Sequence, residues 1–504
     1  MESWLDPIFD AAAMRAADAW AIAGQGVPSL ELMEAAGAAL AEAAADAAGR
    51  GPIRVVCGKG NNGGDGLVAA RRLAAAGHEV ETLLVWPASE LSGDAAANLG
   101  RLERARVREV SPGEARGALE GSGAAVDAIF GTGFEGAPRA PAIEAIEALN
   151  ECPAPTIAAD IPTGVDASTG EAEGVAVQAL TTVAFHAAKM GHWIAPGKEL
   201  SGRLVVAPIG IPPGAPGEPS AGVITDAVVD LPARRRGSST KFSSGQVLVV
   251  GASRGLTGAV CLAASAAARA GAGYVTVAVP SDLEPIFEIK LTEVMSRGLA
   301  GASGRLASAD ADAISGAAER AAAVVLGPGA GRDEDTQTLL RELARDLPAP
   351  LLIDADGLNA HAERIDDIQA RGAPTVLTPH EGELGRLLGR ASEEISGRRL
   401  QSAREAAERS GAVVVLKGDD TLIATGDRVA IARGGAPALA TAGTGDVLSG
   451  TIGALLARGL GAFEAACAGV HAHQRAGRAA AAKVGAAESV VAGDVIESLA
   501  EGLG

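Results

Sequence analysis

Short apolar runs rich in Val, Ile and Leu alternate along this chain with longer Ala-rich stretches, and several of the runs end on glycine or on an acid. In the first half these runs are IRVVCG at 53–58, VETLLVW at 80–86, AAVDAIF at 124–130, PTIAADI at 155–161 and RLVVAPIG at 203–210. A second series comprises QVLVVGAS at 246–253, GYVTVAVP at 273–280, AAVVLGPG at 322–329, PLLIDAD at 350–356, PTVLTPH at 374–380 and AVVVLKGDD at 412–420. Apolar strands alternating with helical segments predict parallel sheets covered by helices, that is, an α/β protein. The two series are separated by IPPGAPGEPSAG at 211–222 and LPARRRGSST at 231–240. Proline and glycine at that density cannot extend a sheet, so the boundary is expected within 212–240. The predicted organisation is a first domain over 1–215, a linker over 216–239 and a second domain over 240–504.

Composition narrows the function. Although 48% of the 504 residues are hydrophobic, Gly, Arg or Asp interrupts every apolar run well before the roughly 20 residues of a membrane span. The start, MESWLDPIFD, lacks a basic segment ahead of an apolar one, so a cytoplasmic protein is expected. A net charge of −19 argues against a nucleic-acid partner, which requires basic patches. The four cysteines form no C-x-x-C pair and the seven histidines no H-E-x-x-H, so neither a thiolate metal site nor a zinc hydrolase is indicated.

The chemistry sits at strand ends. After the first strand comes GKGNNGGDG at 58–66, with LVAARRLAAAG at 67–77 reading as the following helix. Gly58, Gly60 and Gly63 satisfy G-x-G-x-x-G, and amides at such a turn hold anions. The dinucleotide fingerprint also needs an acid at the end of the next strand, where Trp86-Pro87 stands instead. Turn-making alone does not call for Asn61, Asn62 and Asp65, which add donors and oxygen ligands. Asp127, ahead of IFGTGFEGAPR at 129–139, and Asp160, opening DIPTGVDASTG at 160–170, end two further strands. A helix cap explains one such acid more easily than three, and loops beyond the carboxyl ends of parallel strands converge on one pocket.

In the second half, GTGD at 443–446 opens a long helix whose free amides can stabilise a transferring phosphoryl group. Asp446 there is placed to take a proton from a hydroxyl, and the helix dipole is expected to keep it ionised near neutral pH. LKGDDTLIA at 416–424 suits nucleotide phosphates, and TPHEGE at 378–383 adds His380 and Glu383. A histidine at a strand end is more often a structural hydrogen-bonding residue than a ligand. On the residues alone a small-molecule kinase with an accessory domain, or a first half that binds nucleotide without catalysis, stays open.

The motifs LMEAAG at 32–37, CGKGNNGGDG, DAIFGTG, DIPTGVDASTG and FHAAKMGHWIAPGK at 185–198 closely resemble, in order, those of the NAD(P)H-hydrate epimerase domain over about residues 8–211. The resemblance implies a Rossmann-like domain whose substrate pocket is lined by Asn61, Asn62, Gly63, Gly64 and Asp65, by Gly131, Thr132, Gly133, Phe134, Glu135, Gly136 and Ala137, and by Asp160 and Lys189. It implies Asp160 as the catalytic group, and Asn62, Asp127 and Thr163 as potassium ligands. Pro208 stands where the family usually has Asp.

From about residue 240 onward, GASRGLTGAV at 251–260, GAGYVTVAVP at 271–280, EVMSRG at 293–298, LGPGAGR at 326–332, LIDADGLN at 352–359, LTPHEGE, LKGDDT and AGTGDVLSG resemble the ribokinase-like NAD(P)H-hydrate dehydratases. This implies that Ala259, Gly329, Gly331, His380 and Asp446 contact the hydrate. Lys417, Gly418, Asp419, Asp420, Thr421 and Gly445 would contact the nucleotide, ADP or, in some relatives, ATP. Asp446 is the implied base and Glu383 a candidate magnesium ligand. TKFSSG at 240–245 departs from the His-Lys pair common in the family. A homo-oligomer acting on NADH hydrate and NADPH hydrate, with potassium and magnesium as cofactors, is the resulting expectation.

Overall fold

Strand Ile53–Cys57 is buried along almost its whole length, as an apolar run without period-two alternation requires of a strand covered on both faces. Around it, the computed structural model, which describes residues 2–504, builds a seven-stranded sheet. Its order is Arg106–Glu109, Val80–Leu84, Ile53–Cys57, Ala124–Ala128, Thr156–Ala159, Thr181–Phe185 and Arg203–Ala207, with every pairing parallel. This sheet belongs to a unit spanning Pro7–Ala221. Strand order reverses between Ile53–Cys57 and Ala124–Ala128, so the segments after these two strands diverge and leave a crevice at the carboxyl edge.

The second unit comprises Gly222–Gly504 together with the described N-terminal residues through Asp6. Its eleven-stranded sheet runs Leu5–Ile8, Ala221–Ile224, Val429–Ile431, Leu422–Ala424, Val413–Leu416, Thr375–Leu377, Leu351–Ile353, Ala323–Leu326, Gln246–Val250, Tyr274–Pro280 and Met295–Leu299. The strands from Val413–Leu416 to Met295–Leu299 are parallel, and Leu422–Ala424 is antiparallel to both of its neighbours. Here the order reverses between Gln246–Val250 and Ala323–Leu326. Both units are thus α/β, and no helix among the described residues is long and apolar enough to cross a membrane.

Two expectations need correction. Residues 221–230, placed in the linker from their surroundings, form strand Ala221–Ile224 and the 3-10 turn Asp226–Asp230, and the strand pairs in register with Val429–Ile431. The opening residues, placed in the first domain, belong to the second unit. Trp4 is buried, its ring 6.2 Å from that of Phe463, and its carbonyl accepts from the Thr225 amide and hydroxyl at 3.0 and 2.9 Å. Cutting the chain between 212 and 240 therefore removes part of the second unit's core. Trp4→Ala is expected to destabilise that unit by about 3–5 kcal/mol, the usual cost of truncating a buried aromatic. Chemical denaturation of the full chain measures this, and an unchanged midpoint would show that the opening residues carry no stability.

The third correction is local. The helix expected from residue 67 begins at Asn61 and runs to Ala75, so NNGGDG is its first turns rather than a loop. Glycine is a poor helix former, but here tertiary packing overrides propensity. A methyl group on Gly64 would lie 2.6 Å from the Met33 side chain, and one on Gly63 only 1.9 Å from the Gly58 carbonyl.

Candidate active sites

In the smaller unit the crevice opens into a cavity of about 870 Å³. Asp160 ends its strand there with φ at +66°, a left-handed conformation that Asp tolerates better than most side chains. Its Oδ1 accepts from Lys189 Nζ at 2.5 Å and from the Phe185 amide at 3.1 Å, and its Oδ2 from the Thr132 amide at 3.4 Å. Lys189, only 1% exposed, also donates to the Phe185 carbonyl at 2.8 Å. Burial by itself would raise the Asp160 carboxyl, but the Lys189 ammonium and these hydrogen bonds outweigh it and hold it below the usual range. His192 supports the pair from behind. Its Nδ1 accepts from the Lys189 amide at 3.0 Å, which leaves Nε2–H to donate to the Asp160 carbonyl at 2.8 Å. Burial, helped by Lys189, pushes its pKa down to about 4, so the ring is neutral.

Beside this pair lies a second buried carboxylate, Asp127. Its oxygens accept from the Thr163 hydroxyl at 2.7 Å and the Thr163 and Ile129 amides at 2.8 and 3.3 Å. Burial raises its pKa to about 6 against these hydrogen bonds. Asn62 Oδ1 lies where a methyl on Gly131 would be 3.1 Å away, and Asn62 Nδ2 is buried without a protein partner.

The larger unit gathers its charges at the equivalent edge. Gly443, at φ +90°, leads into helix Thr444–Ala457 and puts Asp446 in the first turn. Lys417 Nζ donates to Asp354 Oδ1 at 3.2 Å and lies 3.4 Å from Glu383 Oε2, while the Ser449 hydroxyl donates to Asp354 Oδ2 at 2.6 Å. A methyl on Gly445 would lie 3.7 Å from Lys417 Nζ, which places the ammonium beside the GTGD turn. Contrary to the expectation of a fully ionised group, Asp446 is pushed up to about 7. Burial is the main cause, and Asp354, Glu383 and Asp356 add to it against the lowering effect of Lys417. A cavity of about 300 Å³ adjoins, walled by Lys417, Gly418, Asp419, Thr421, Thr444 and Gly445 on one side and by His473 and Gln474 on another. Across the switch point, the Ser253 hydroxyl donates to the Gly329 carbonyl at 3.0 Å, and a methyl on Gly329 would lie 3.2 Å from Ala259 Cβ.

Comparison with known proteins bears on both sites. Residues 247–500 match the family described as NAD(P)H-hydrate dehydratase, and residues 29–191 match the YjeF-related protein N-terminus. The bifunctional NAD(P)H-hydrate repair enzyme Nnr of Moorella thermoacetica is 41% identical over 420 residues, which is 79% of this chain and 78% of the relative. The chain belongs to the bifunctional NAD(P)H-hydrate repair enzymes. Its Salinibacter ruber relative is 39% identical over 84% of this chain and 82% of its own. Among solved structures, an ADP/ATP-dependent NAD(P)H-hydrate dehydratase from Bacillus subtilis, co-crystallised with ATP/Mg2+, is similar at 27% identity. It covers 55% of this chain and 94% of its own, with a TM-score of 0.47.

Within this repair enzyme the structure brings most of the expected residues together, and separates a few. Asn61, Asn62, Asp65, Gly131, Thr132, Gly133, Phe134, Glu135, Asp160 and Lys189 line the larger cavity. Gly63 and Gly64 lie beneath it as packing positions, and Gly136 and Ala137 are not on its wall. Asp420 departs from its expected nucleotide contact. It is buried, and both its oxygens are bound by Arg399 at 2.9 and 3.0 Å. His380 caps helix Glu381–Leu388, its Nδ1 accepting from the Gly382 and Glu383 amides at 3.0 and 3.3 Å. Gly331 donates its amide to Asp356 at 2.8 Å. Sequence reasoning missed Arg15, Asp18 and Lys59 on the larger cavity and Asp354 at Lys417. The signal for Asp354 was present, as the acid ending PLLIDAD. Asp18, inside an Ala-rich helix far from any strand end, carried none.

Proposed function

We propose that the smaller unit interconverts the R and S hydrates of NADH and NADPH, and that the larger unit dehydrates the S form at the expense of ADP. The support is that a chain of this family keeps, in each unit, a charged constellation at the switch point of its sheet. In the hydrate, water has added across a ring double bond and left a hydroxyl that departs poorly. Asp446 takes the proton of that hydroxyl, whose oxygen attacks the β-phosphorus of ADP and displaces AMP. The amides of the GTGD turn and Lys417 hold the charge on the transferring group. The ring nitrogen then expels phosphate, loss of a neighbouring ring proton restores the double bond, and NAD(P)H, AMP and phosphate leave. Magnesium accompanies nucleotide phosphates in such sites, and Glu383, one oxygen of which accepts from the His380 amide at 2.9 Å, would be the carboxylate to hold it.

In the smaller unit the donor set suits a monovalent cation. Among the described residues the buried Asp127 carboxylate has hydroxyl and amide partners and no ammonium or guanidinium bonded to it, Thr163 adds a hydroxyl oxygen, and the Asn62 amide oxygen lies against Gly131. Potassium bound by Asn62, Asp127 and Thr163 would supply the missing positive charge. Replacing potassium by a bulky organic cation in the buffer is expected to lower epimerisation, and Asn62→Ala to weaken the potassium requirement's apparent affinity roughly 10–100-fold. An epimerisation rate indifferent to potassium would remove the cation from this reading. The overall reading is tested by supplying chemically hydrated NADH with ADP and following the absorbance of the reduced cofactor. No recovery, or accumulation of a stable phosphorylated product, would overturn it in favour of a kinase.

A further inference from the structure

The larger cavity holds more carboxylates than the Asp160–Lys189 pair accounts for. Asp65, on helix Asn61–Ala75, is only 8% exposed, lines the cavity and has no hydrogen-bond partner among the described residues. Asp18, on helix Ala11–Ala19, faces the same cavity half-buried and likewise unpartnered. The remaining charged lining is Arg15, Lys59, Asp94 and Glu135, and Lys59 is already engaged at 2.8 Å by Glu90. Lys189 is spent on Asp160. A second proton-bearing group suits inversion by the dehydrating route, in which the hydroxyl oxygen of the inverted carbon leaves as water.

We propose that Asp18 is the catalytic acid of epimerisation, giving its proton to the departing ring hydroxyl while Asp160 receives one from the water that returns. This rests on the reading of the cavity as the epimerase site. Hydration of an enamine double bond puts the oxygen on the carbon next to nitrogen, so the nitrogen lone pair can expel it. The proton of Asp18 passes to the hydroxyl oxygen, the C–O bond breaks with its electron pair leaving in water, and a C=N double bond forms. Water then adds to the opposite face, its proton passes to Asp160, and the nitrogen recovers its pair. Solvent takes the proton from Asp160 and restores the one on Asp18. Asp18 is chosen over Asp65 because it is open to solvent as well as to the cavity, and so can be reprotonated each cycle.

Electrostatics agree with these assignments. Burial and the neighbouring Asp160 raise the Asp18 carboxyl against Lys189, whereas the Asp160 carboxyl is held low. Two carboxyls whose environments drive their pKa values apart are the pattern of an acid and a base. Burial first, and then Asp160 and Asp18, raise the Asp65 carboxyl as well, against the lowering effect of Lys189.

The test uses the full chain with a single hydrate epimer in water labelled with heavy oxygen, following interconversion by chromatography and label uptake by mass spectrometry, after subtraction of the uncatalysed rate. In the unaltered chain label should enter at the rate of interconversion, and the rate should fall as pH rises through the Asp18 pKa. Asp18→Asn should lose roughly 10²–10⁴-fold of both rates, lose that pH limb, and still bind the hydrate in equilibrium dialysis. Asp18→Glu should recover part of the rate. Wild-type interconversion in Asp18→Asn, a loss explained by lost hydrate binding, or interconversion without label uptake would each overturn the proposal. Absence of epimerisation in the unaltered chain would instead overturn the reading of the cavity, and this inference with it.

Discussion

Asp446→Asn lowers dehydration by roughly two to four orders of magnitude, the usual worth of a positioned general base, while the hydrate is still epimerised. The amide keeps the shape of the carboxylate and removes its capacity to take a proton. Nucleotide and hydrate binding should persist, because Lys417, Gly445 and the helix amides are untouched. A pH signature accompanies the loss. With Asp446 pushed up to about 7 by burial and by Asp354, Glu383 and Asp356, the base is protonated and idle at acid pH. Dehydration by the unaltered chain should therefore climb as pH rises toward about 7 and then level, and the variant should lack this limb. Asp354→Asn removes one of the like charges and should move the midpoint of the limb downward. Near-normal dehydration in Asp446→Asn would eliminate the proposed base, and loss of both activities would point to general misfolding.

Asp160→Asn abolishes epimerisation and weakens the smaller unit. Asparagine is the informative replacement because, like aspartate, it tolerates the left-handed backbone at this position, so the strand end is preserved. The charge change alone leaves the Lys189 ammonium, 1% exposed, without its carboxylate at 2.5 Å. Breaking a buried pair from one side costs about 3–5 kcal/mol, which denaturation of the smaller unit would register. Stability and chemistry can then be separated with a second change. Asp160→Asn combined with Lys189→Met should regain much of the lost stability, since no unpaired charge remains, and should stay inactive in interconversion. Recovery of epimerisation in the double variant would show that the pair serves the fold only and that Asp160 takes no part in the reaction.

Local pattern reached far in this protein. The runs at 53–58, 124–130 and 412–420 each contain an observed strand, because a run of β-branched and aliphatic residues buried on both sides needs no information from elsewhere in the chain. The glycine-bearing and acidic segments at their ends were legible for the same reason. In parallel sheets, chain segments leaving the carboxyl edge face a common crevice. Two of the strands that escaped notice lack this signature. Arg106–Glu109 is an exposed edge strand of alternating charge, and Leu5–Ile8 contains proline.

What the sequence determined by itself was therefore the α/β class, the presence of two units, and several of the polar and glycine residues that line each crevice. Tertiary structure alone decided that Trp4 completes a core whose other members begin more than two hundred residues later, since the Trp4 carbonyl is bound by Thr225 at a sequence separation of 221. It also decided that NNGGDG is helical, because close approach of Met33 and the Gly58 carbonyl, and not helix propensity, fixes those glycines. The electrostatic roles were likewise beyond local reading. Asp446 sits at a helix N-terminus that favours its anion, yet Asp354, Asp356 and Glu383, from distant segments, combine with burial to raise it. A charge responds to the sum of its surroundings in space, and that sum exists only once the chain has folded.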